Sequence, residues 1–148
     1  MSVLTPHAHW ALRLAIFSVF MYHGLDKLRG LEGFAEMAGM PVAVALLVAL
    51  AETGGALLVL LGGFMKDWMT RVGALMNIPV MLGAIFMVHW GQWSFMATET
   101  HPMGGMEFQV TLLLILVYLV IKGNEGAGRA DTVAEKASAG RATSVAGS

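Results

Sequence analysis

Four long stretches of apolar residues, separated by short polar segments, dominate this chain. They run from about residue 10 to 28, 42 to 64, 72 to 90 and 106 to 121. A helix needs about 20 residues to cross the hydrocarbon core of a bilayer, and the second and third stretches have that length. The pattern therefore predicts an all-α fold, an integral membrane bundle of four helices within residues 1–123.

The segments outside these stretches carry weaker signals. The first and fourth stretches are short, so we expect Arg13 and Lys122 to extend toward the membrane surface. Residues 29–40 mix polar and apolar side chains and favour a short interfacial helix that ends near Gly39. Residues 124–148 are polar and rich in Gly and Ala, which predicts a cytoplasmic tail.

Small residues on the second and third stretches indicate close helix contacts, since glycine lets two backbones approach each other. The glycines concerned are Gly54, Gly55, Gly62, Gly63, Gly73 and Gly83.

Composition narrows the function classes. Hydrophobic residues make up 57% of the 148 positions and charged residues 13%, a balance typical of integral membrane proteins. A formal net charge of -1 gives no indication of nucleic-acid binding. With no cysteine, the chain has no thiolate ligand for an Fe–S cluster and no attachment site for covalent haem. Redox chemistry would therefore need a bound organic cofactor or a partner subunit.

Basic residues are distributed unevenly between the two sides of the predicted bundle. One side carries Arg13, Lys66, Arg71, Lys122, Arg129, Lys136 and Arg141, whereas the other carries Lys27 and Arg29. The positive-inside rule then places both termini in the cytoplasm and the chain in the cytoplasmic membrane as a multi-pass protein.

Five ionisable residues interrupt or border the apolar stretches: His23, Lys27, Glu52, His89 and Glu107. An ionisable group at the bilayer centre costs roughly 2.5–3.5 kcal/mol on insertion scales, so such groups indicate a functional site. In the predicted topology three of them lie near the outer face. Glu52 lies deeper, roughly 16 Å into its helix at about 1.5 Å per residue.

Other roles for these residues remain open. Glu107 begins a helix, where its charge complements the helix dipole, and it is also a candidate partner for Lys27 across the bundle. Glu52 is a candidate for a hydrogen bond to Thr53. The two histidines and two glutamates also suit a zinc or iron site, although the chain lacks the Glu-x-x-His motif of di-iron bundles.

Several of these residues occur within a recognisable order of short motifs. The order is Arg13-Leu14, His23-Gly24-Leu25-Asp26-Lys27-Leu28, Gly39-Met40-Pro41, Glu52-Thr53-Gly54-Gly55 and Leu60-Leu61-Gly62, followed by His89 and Glu107. From about residue 13 to 123 the chain resembles the DoxX-like membrane proteins.

This resemblance implies four transmembrane helices and a quinone-linked role, like that of the membrane subunits of thiosulfate:quinone oxidoreductases. The expected cofactor is a quinone between the helices, with His23 and Glu52 as its catalytic pair. Lys27 would stabilise negative charge, and His89 and Glu107 would relay protons to the outer face. The alternative is a non-catalytic accessory subunit of a larger assembly. Either role implies contact with the lipid bilayer and with other membrane or periplasmic subunits.

Overall fold

The computed structural model describes residues 7–125, and this part of the chain is helical with no β-strand. Its helices are α1 (His9–Arg29), α2 (Leu31–Met37), α3 (Val42–Gly62), α4 (Asp67–Ala84) and α5 (Glu107–Lys122). A π-helical turn, Ile85–His89, continues α4. Most of the predicted tail, residues 126–148, lies outside the described residues.

The observed helices differ from the predicted stretches at particular ends. α4 begins at Asp67 rather than at residue 72, because the polar residues Asp67, Thr70 and Arg71 bind other elements from its first turns. α3 ends at Gly62, and the turn of residues 63–66 leads into α4. The short helix expected within residues 29–40 is α2.

The helices form one layered bundle with α3 between α1 and α4. α5 packs against α4, and α2 folds back against α3. The core comprises Ile16, Phe20, Ala56, Val59, Ala74, Met81, Leu112, Leu116 and Leu119. Because α3 contacts both of its long neighbours, its polar residues are the ones best placed to meet side chains from elsewhere in the bundle.

Glycines set the spacing between α3 and α4. A Cβ on Gly73 would lie 2.6 Å from the Gly55 carbonyl oxygen and 2.8 Å from the Val59 nitrogen, so the two backbones are in contact there. Gly62 similarly packs against Thr70. The expectation of a close contact is wrong for Gly83, which has no atom within 4 Å of its would-be Cβ.

Within residues 7–125, two helical segments are long and apolar enough to cross a membrane, Val42–Gly62 and Asp67–His89. Large apolar side chains also point outward from α3, among them Leu47 and Leu50. A soluble protein seldom exposes a continuous apolar surface, and a lipid-facing helix requires one.

The α3–α4 contact predicts unequal effects for two alanine substitutions on the same helix. Gly73→Ala should lower the free energy of unfolding by about 1–3 kcal/mol, because the new methyl group has no space. Gly83→Ala should be neutral or stabilising by up to ~1 kcal/mol, since it raises helix propensity in open space. Thermal unfolding in detergent, followed by circular dichroism, measures both. Equal stability of the two variants would contradict the observed packing.

Candidate functional site

An ion pair between α1 and α3, with Glu52 buried and Lys27 half-buried, lies in the interior of the bundle. Lys27 Nζ lies 2.8 Å from Glu52 Oε1 and 2.7 Å from Glu52 Oε2. The Glu52 side chain is 3% exposed and that of Lys27 19%. Removing two charges from water is costly, and here the direct contact of both carboxylate oxygens with the ammonium offsets that cost.

A glycine contact one turn before Lys27 brings the two helices together. A Cβ on Gly24 would lie 2.9 Å from the Thr53 nitrogen, so only glycine lets α1 approach α3 this closely. Thr53 Oγ1 donates its hydrogen bond to the Ala49 carbonyl within α3 rather than to Glu52, and the Glu52 carboxylate is bound by Lys27. Gly24 and Lys27, which belong to the same motif, thus act together: the glycine sets the helix spacing and the lysine supplies the charge.

Phe34 of α2 covers the ion pair. Its ring centroid lies 5.1 Å from Lys27 Nζ, within the range of a cation–π interaction. The lysine therefore has a carboxylate on one side and an aromatic face on another, and α2 forms a wall of the site.

His23 lies beside this pair but is exposed at the surface of α1. Its ring contacts Tyr22 edge to face, with centroids 5.4 Å apart. Within the described part of the chain its side chain makes no hydrogen bond. Because His23 precedes Lys27 by one helical turn, the two side chains share a face of α1. The predicted catalytic histidine is thus near the ion pair, and its ring nitrogens are open to a ligand.

His89 forms a separate polar contact between α4 and α5. Its Nδ1 lies 2.9 Å from the Gly104 carbonyl oxygen, and its Nε2 lies 2.9 Å from Gln109 Nε2. His89 is the last residue of the π-helical turn that continues α4, and it is 8% exposed. The π-helical turn places it in the interior rather than on the surface.

Glu107 has a local role at the start of α5. Its Oε2 accepts a hydrogen bond from the Phe95 backbone N–H at 3.4 Å, and the side chain is only partly buried. The suggested ion pair between Glu107 and Lys27 is wrong, because the Lys27 ammonium binds the Glu52 carboxylate instead. The carboxylate instead stabilises the loop that precedes its own helix.

A second polar cluster contains Arg13, which is fully buried. Its Nη1 donates to the Val59 carbonyl at 2.8 Å and to Thr70 Oγ1 at 2.7 Å. Its Nη2 donates to the Gly123 carbonyl and to Asn124 Oδ1, and its Nε donates to His9 Nδ1 at 3.0 Å. All five guanidinium protons therefore have partners. The expectation that Arg13 extends to the membrane surface is wrong.

Asn124 completes this cluster from the segment after α5. Its Nδ2 donates to the Gly62 carbonyl at 2.7 Å, and its backbone N–H donates to Asp67 Oδ1. Asp67 in turn accepts from Arg71, which also binds the carbonyls at the end of α5. The first residue of the predicted polar tail is thus part of the packed bundle.

The metal-site alternative has no geometric support within residues 7–125. No three His, Asp or Glu side chains there stand close enough together to hold an ion. The four candidates lie in separate places: Glu52 with Lys27, His89 with Gln109, and His23 and Glu107 nearer the surface.

Three residues that make important hydrogen bonds in the structure could not be identified from the sequence: Thr70, Asn124 and Gln109. Uncharged polar residues are common near helix ends, and nothing in their spacing distinguishes them. Phe34 was visible as part of an amphipathic segment, but its position over Lys27 depends on how α2 folds back. The charges of Arg13, Lys27 and Glu52, by contrast, stand out by residue type, since they interrupt or border apolar stretches.

The ion pair predicts a characteristic mutational pattern. Lys27→Met alone should cost about 3–5 kcal/mol of stability, because it leaves the Glu52 carboxylate buried without its partner. Adding Glu52→Leu should restore most of that loss. Lys122→Met is the control, since it breaks the exposed pair with Glu125 and should change stability by less than about 1 kcal/mol. Denaturation in detergent measures all three, and a double variant no more stable than Lys27→Met would contradict the pairing.

Comparison with known proteins identifies the family of the chain. The DoxX family model matches residues 8–90, which include the ion pair and His89. "Putative oxidoreductase CatD" of Bacillus subtilis (strain 168) is 30% identical over 116 residues, 76% of this chain and 77% of that protein. No solved structure matches the chain. On the family match and on this relative, the chain belongs to the DoxX family of membrane-associated proteins.

Proposed function

We propose that this protein is a membrane subunit of a quinone-linked oxidoreductase. The observation that carries the proposal is the Lys27–Glu52 ion pair, which is buried in an apolar bundle and accompanied by His23 and Phe34. The relative named as an oxidoreductase supports the reaction class. Family membership supports the membrane setting.

In this proposal four helical segments cross the cytoplasmic membrane: α1, α3, α5, and α4 with its π-helical turn. α1 and α3 have 21 residues each and span roughly 32 Å at about 1.5 Å per residue. α5 has 16 residues, so its ends would reach the interfaces with help from Lys122 and the loop before Glu107. Outward-facing apolar side chains on each helix would contact lipid.

The charge distribution sets the proposed orientation. Lys66, Arg71 and Lys122 lie at the same end of the bundle as the Arg13 cluster, whereas the loop between residues 91 and 105 has no basic residue. The positive-inside rule puts the Arg13 end, and with it both termini, in the cytoplasm. The ion pair then lies in the outer half of the membrane.

The residues around the ion pair fit a quinone head group. An oxidised quinone presents two carbonyl oxygens that need donors, and a reduced one presents hydroxyls that need acceptors. Lys27 has three ammonium protons and directs two at Glu52, which leaves one for a ligand oxygen. The exposed imidazole of His23 can donate or accept, and the Phe34 ring offers an apolar face. A bound quinone would supply the capacity to take up and release two electrons.

Within this site the chain's own residues have distinct roles. Glu52 holds the Lys27 ammonium in place and is the proposed proton acceptor at the deeper side. His23 exchanges protons at the open side. His89 and Glu107 remain candidates for a proton relay, and any such relay would run along α5, since His89 contacts Gln109.

The alternative, a non-catalytic accessory subunit of a larger membrane complex, also has an observation in its favour. Within the Arg13 cluster every guanidinium proton has an acceptor, and Lys27 and Glu52 neutralise each other, both without a ligand. In that reading both clusters stabilise the fold, and the periplasmic or membrane partners perform the chemistry. Purified complexes with stable partner subunits and no extractable quinone would favour this alternative.

Substitution of the central carboxylate tests the quinone proposal. Glu52→Gln keeps the shape of the side chain but removes its charge and weakens its hold on Lys27, so bound quinone should fall at least tenfold. Organic extraction and mass spectrometry of the detergent-purified protein measure quinone per chain. Asp26→Asn, an exposed change of carboxylate to amide on α1 next to Lys27, should leave quinone content unchanged. Equal content in wild type and Glu52→Gln would overturn the assignment.

The orientation can be tested independently, because the chain has no cysteine of its own. Glu99→Cys lies in the loop before α5 and Lys66→Cys lies between α3 and α4, and both positions are exposed. A membrane-impermeant maleimide added to intact cells should label Glu99→Cys and leave Lys66→Cys unlabelled until the cells are permeabilised. Labelling of Lys66→Cys in intact cells would contradict the proposed topology.

A further inference from the structure

A third polar site, distinct from the Lys27–Glu52 pair and from the Arg13 cluster, lies between the π-helical turn and α5. The turn Ile85–His89 directs Ile85 and His89 inward. π-helical turns are rare, and they occur frequently at functional sites. Here the turn brings a buried histidine opposite Gln109, and the proposed function assigns no ligand to this pair.

The hydrogen bonds of this site fix the proton position on neutral His89. Its Nδ1 lies 2.9 Å from the Gly104 carbonyl oxygen, which can only accept, so Nδ1 must carry the proton. Nε2 then has a lone pair and needs a donor. Gln109 supplies it through its Nε2 at 2.9 Å. The Gly104 carbonyl therefore sets the tautomer of His89, and Gln109 is a positioning residue that donates to the ring nitrogen left without a proton.

The same geometry leaves one buried atom without a partner. Because the amide nitrogen of Gln109 faces the imidazole, its Oε1 faces away, and this oxygen is buried with no hydrogen bond in residues 7–125. Native proteins rarely bury an acceptor without a donor, and exceptions call for a bound water or ligand. The missing group must be a donor small enough to reach an interior amide oxygen.

We propose that His89 and Gln109 form a binding site for one hydroxyl group, which donates its hydrogen bond to Gln109 Oε1. The hydroxyl belongs either to a water molecule or to a small organic head group. The site goes beyond the proposed function, which places the quinone head group at His23, Lys27 and Phe34.

Gln109 can also change from accepting a hydrogen bond from the ligand to donating one to it. If His89 carries a proton on both ring nitrogens, Nε2 becomes a donor, and the Gln109 amide must turn its oxygen to the ring and its NH₂ group to the ligand. Other titratable groups in the loop before α5 and at the start of α5 are Glu99, His101 and Glu107, of which Glu107 binds the Phe95 N–H and His101 the Trp90 carbonyl. The site thus suits an oxygen that alternates between hydroxyl and carbonyl forms.

Nitrogen-15 NMR of the histidine-labelled protein in detergent tests which ring nitrogen of neutral His89 carries the proton. We expect neutral His89 to show its proton on Nδ1, with the signal assigned by its loss in His89→Gln. Gln109→Met removes the donor to Nε2 and should shift that nitrogen, whereas Thr111→Val, a control on the same helix, should leave it unchanged. A proton on Nε2 of neutral His89 in the wild-type protein would overturn the proposal.

The source of the hydroxyl is tested on the Gln109 side-chain amide. A bound water gives an exchange or Overhauser cross-peak between water and this amide without any added ligand. An organic hydroxyl gives a shift of the amide on addition of a short-chain benzoquinol but not of its dimethyl ether. Either result supports the site, and the absence of both overturns it. The tautomer and water measurements need no quinone, so they remain valid if the quinone proposal fails.

Discussion

The buried guanidinium of Arg13 is the interaction on which the arrangement of the helices depends. Each of its five protons meets an acceptor, and these acceptors come from α1, α3, α4 and the segment that follows α5. A buried cation without partners would be strongly unfavourable, so the elements that supply the acceptors must stay together. The cluster therefore connects all four long helices at one end of the bundle, where Asn124 and Asp67 extend it.

Further along the helices, beyond the Arg13 cluster, glycine contacts determine how closely the helices pack. Gly24 against Thr53 keeps α1 close to α3, and as a result Lys27 reaches Glu52 and Phe34 covers the ammonium. Gly73 against Gly55 does the same for α4 and α3. The bundle thus contains two different polar groups. In the Arg13 cluster every guanidinium proton has an acceptor, and the cluster stabilises the fold. The Lys27–Glu52 ion pair is bordered by the exposed His23, whose ring nitrogens make no hydrogen bond within residues 7–125.

Some of this arrangement could be predicted because it depends on residue type. Glu52 and Lys27 stand out as charges among apolar residues, and family resemblance pointed to the motifs that contain them. The pairing itself was not predicted, since a charge in an apolar stretch does not identify its partner. Glu107, an equally visible candidate for Lys27, binds a backbone N–H of its own loop instead. His89 was singled out, but its partner Gln109 was not, because an uncharged amide near a helix start is unremarkable.

By itself the sequence determined the helical class, the approximate positions of the helices and the family, because hydrophobic periodicity, length and motif order are local properties. Tertiary structure alone decided which polar groups meet. Hydrogen bonds and ion pairs act over about 3 Å, so they depend on helix spacing, and that spacing follows from contacts such as Gly73 with Gly55. The burial of Arg13, the inclusion of Asn124 in the bundle and the unpartnered oxygen of Gln109 are all consequences of packing between residues far apart in the chain.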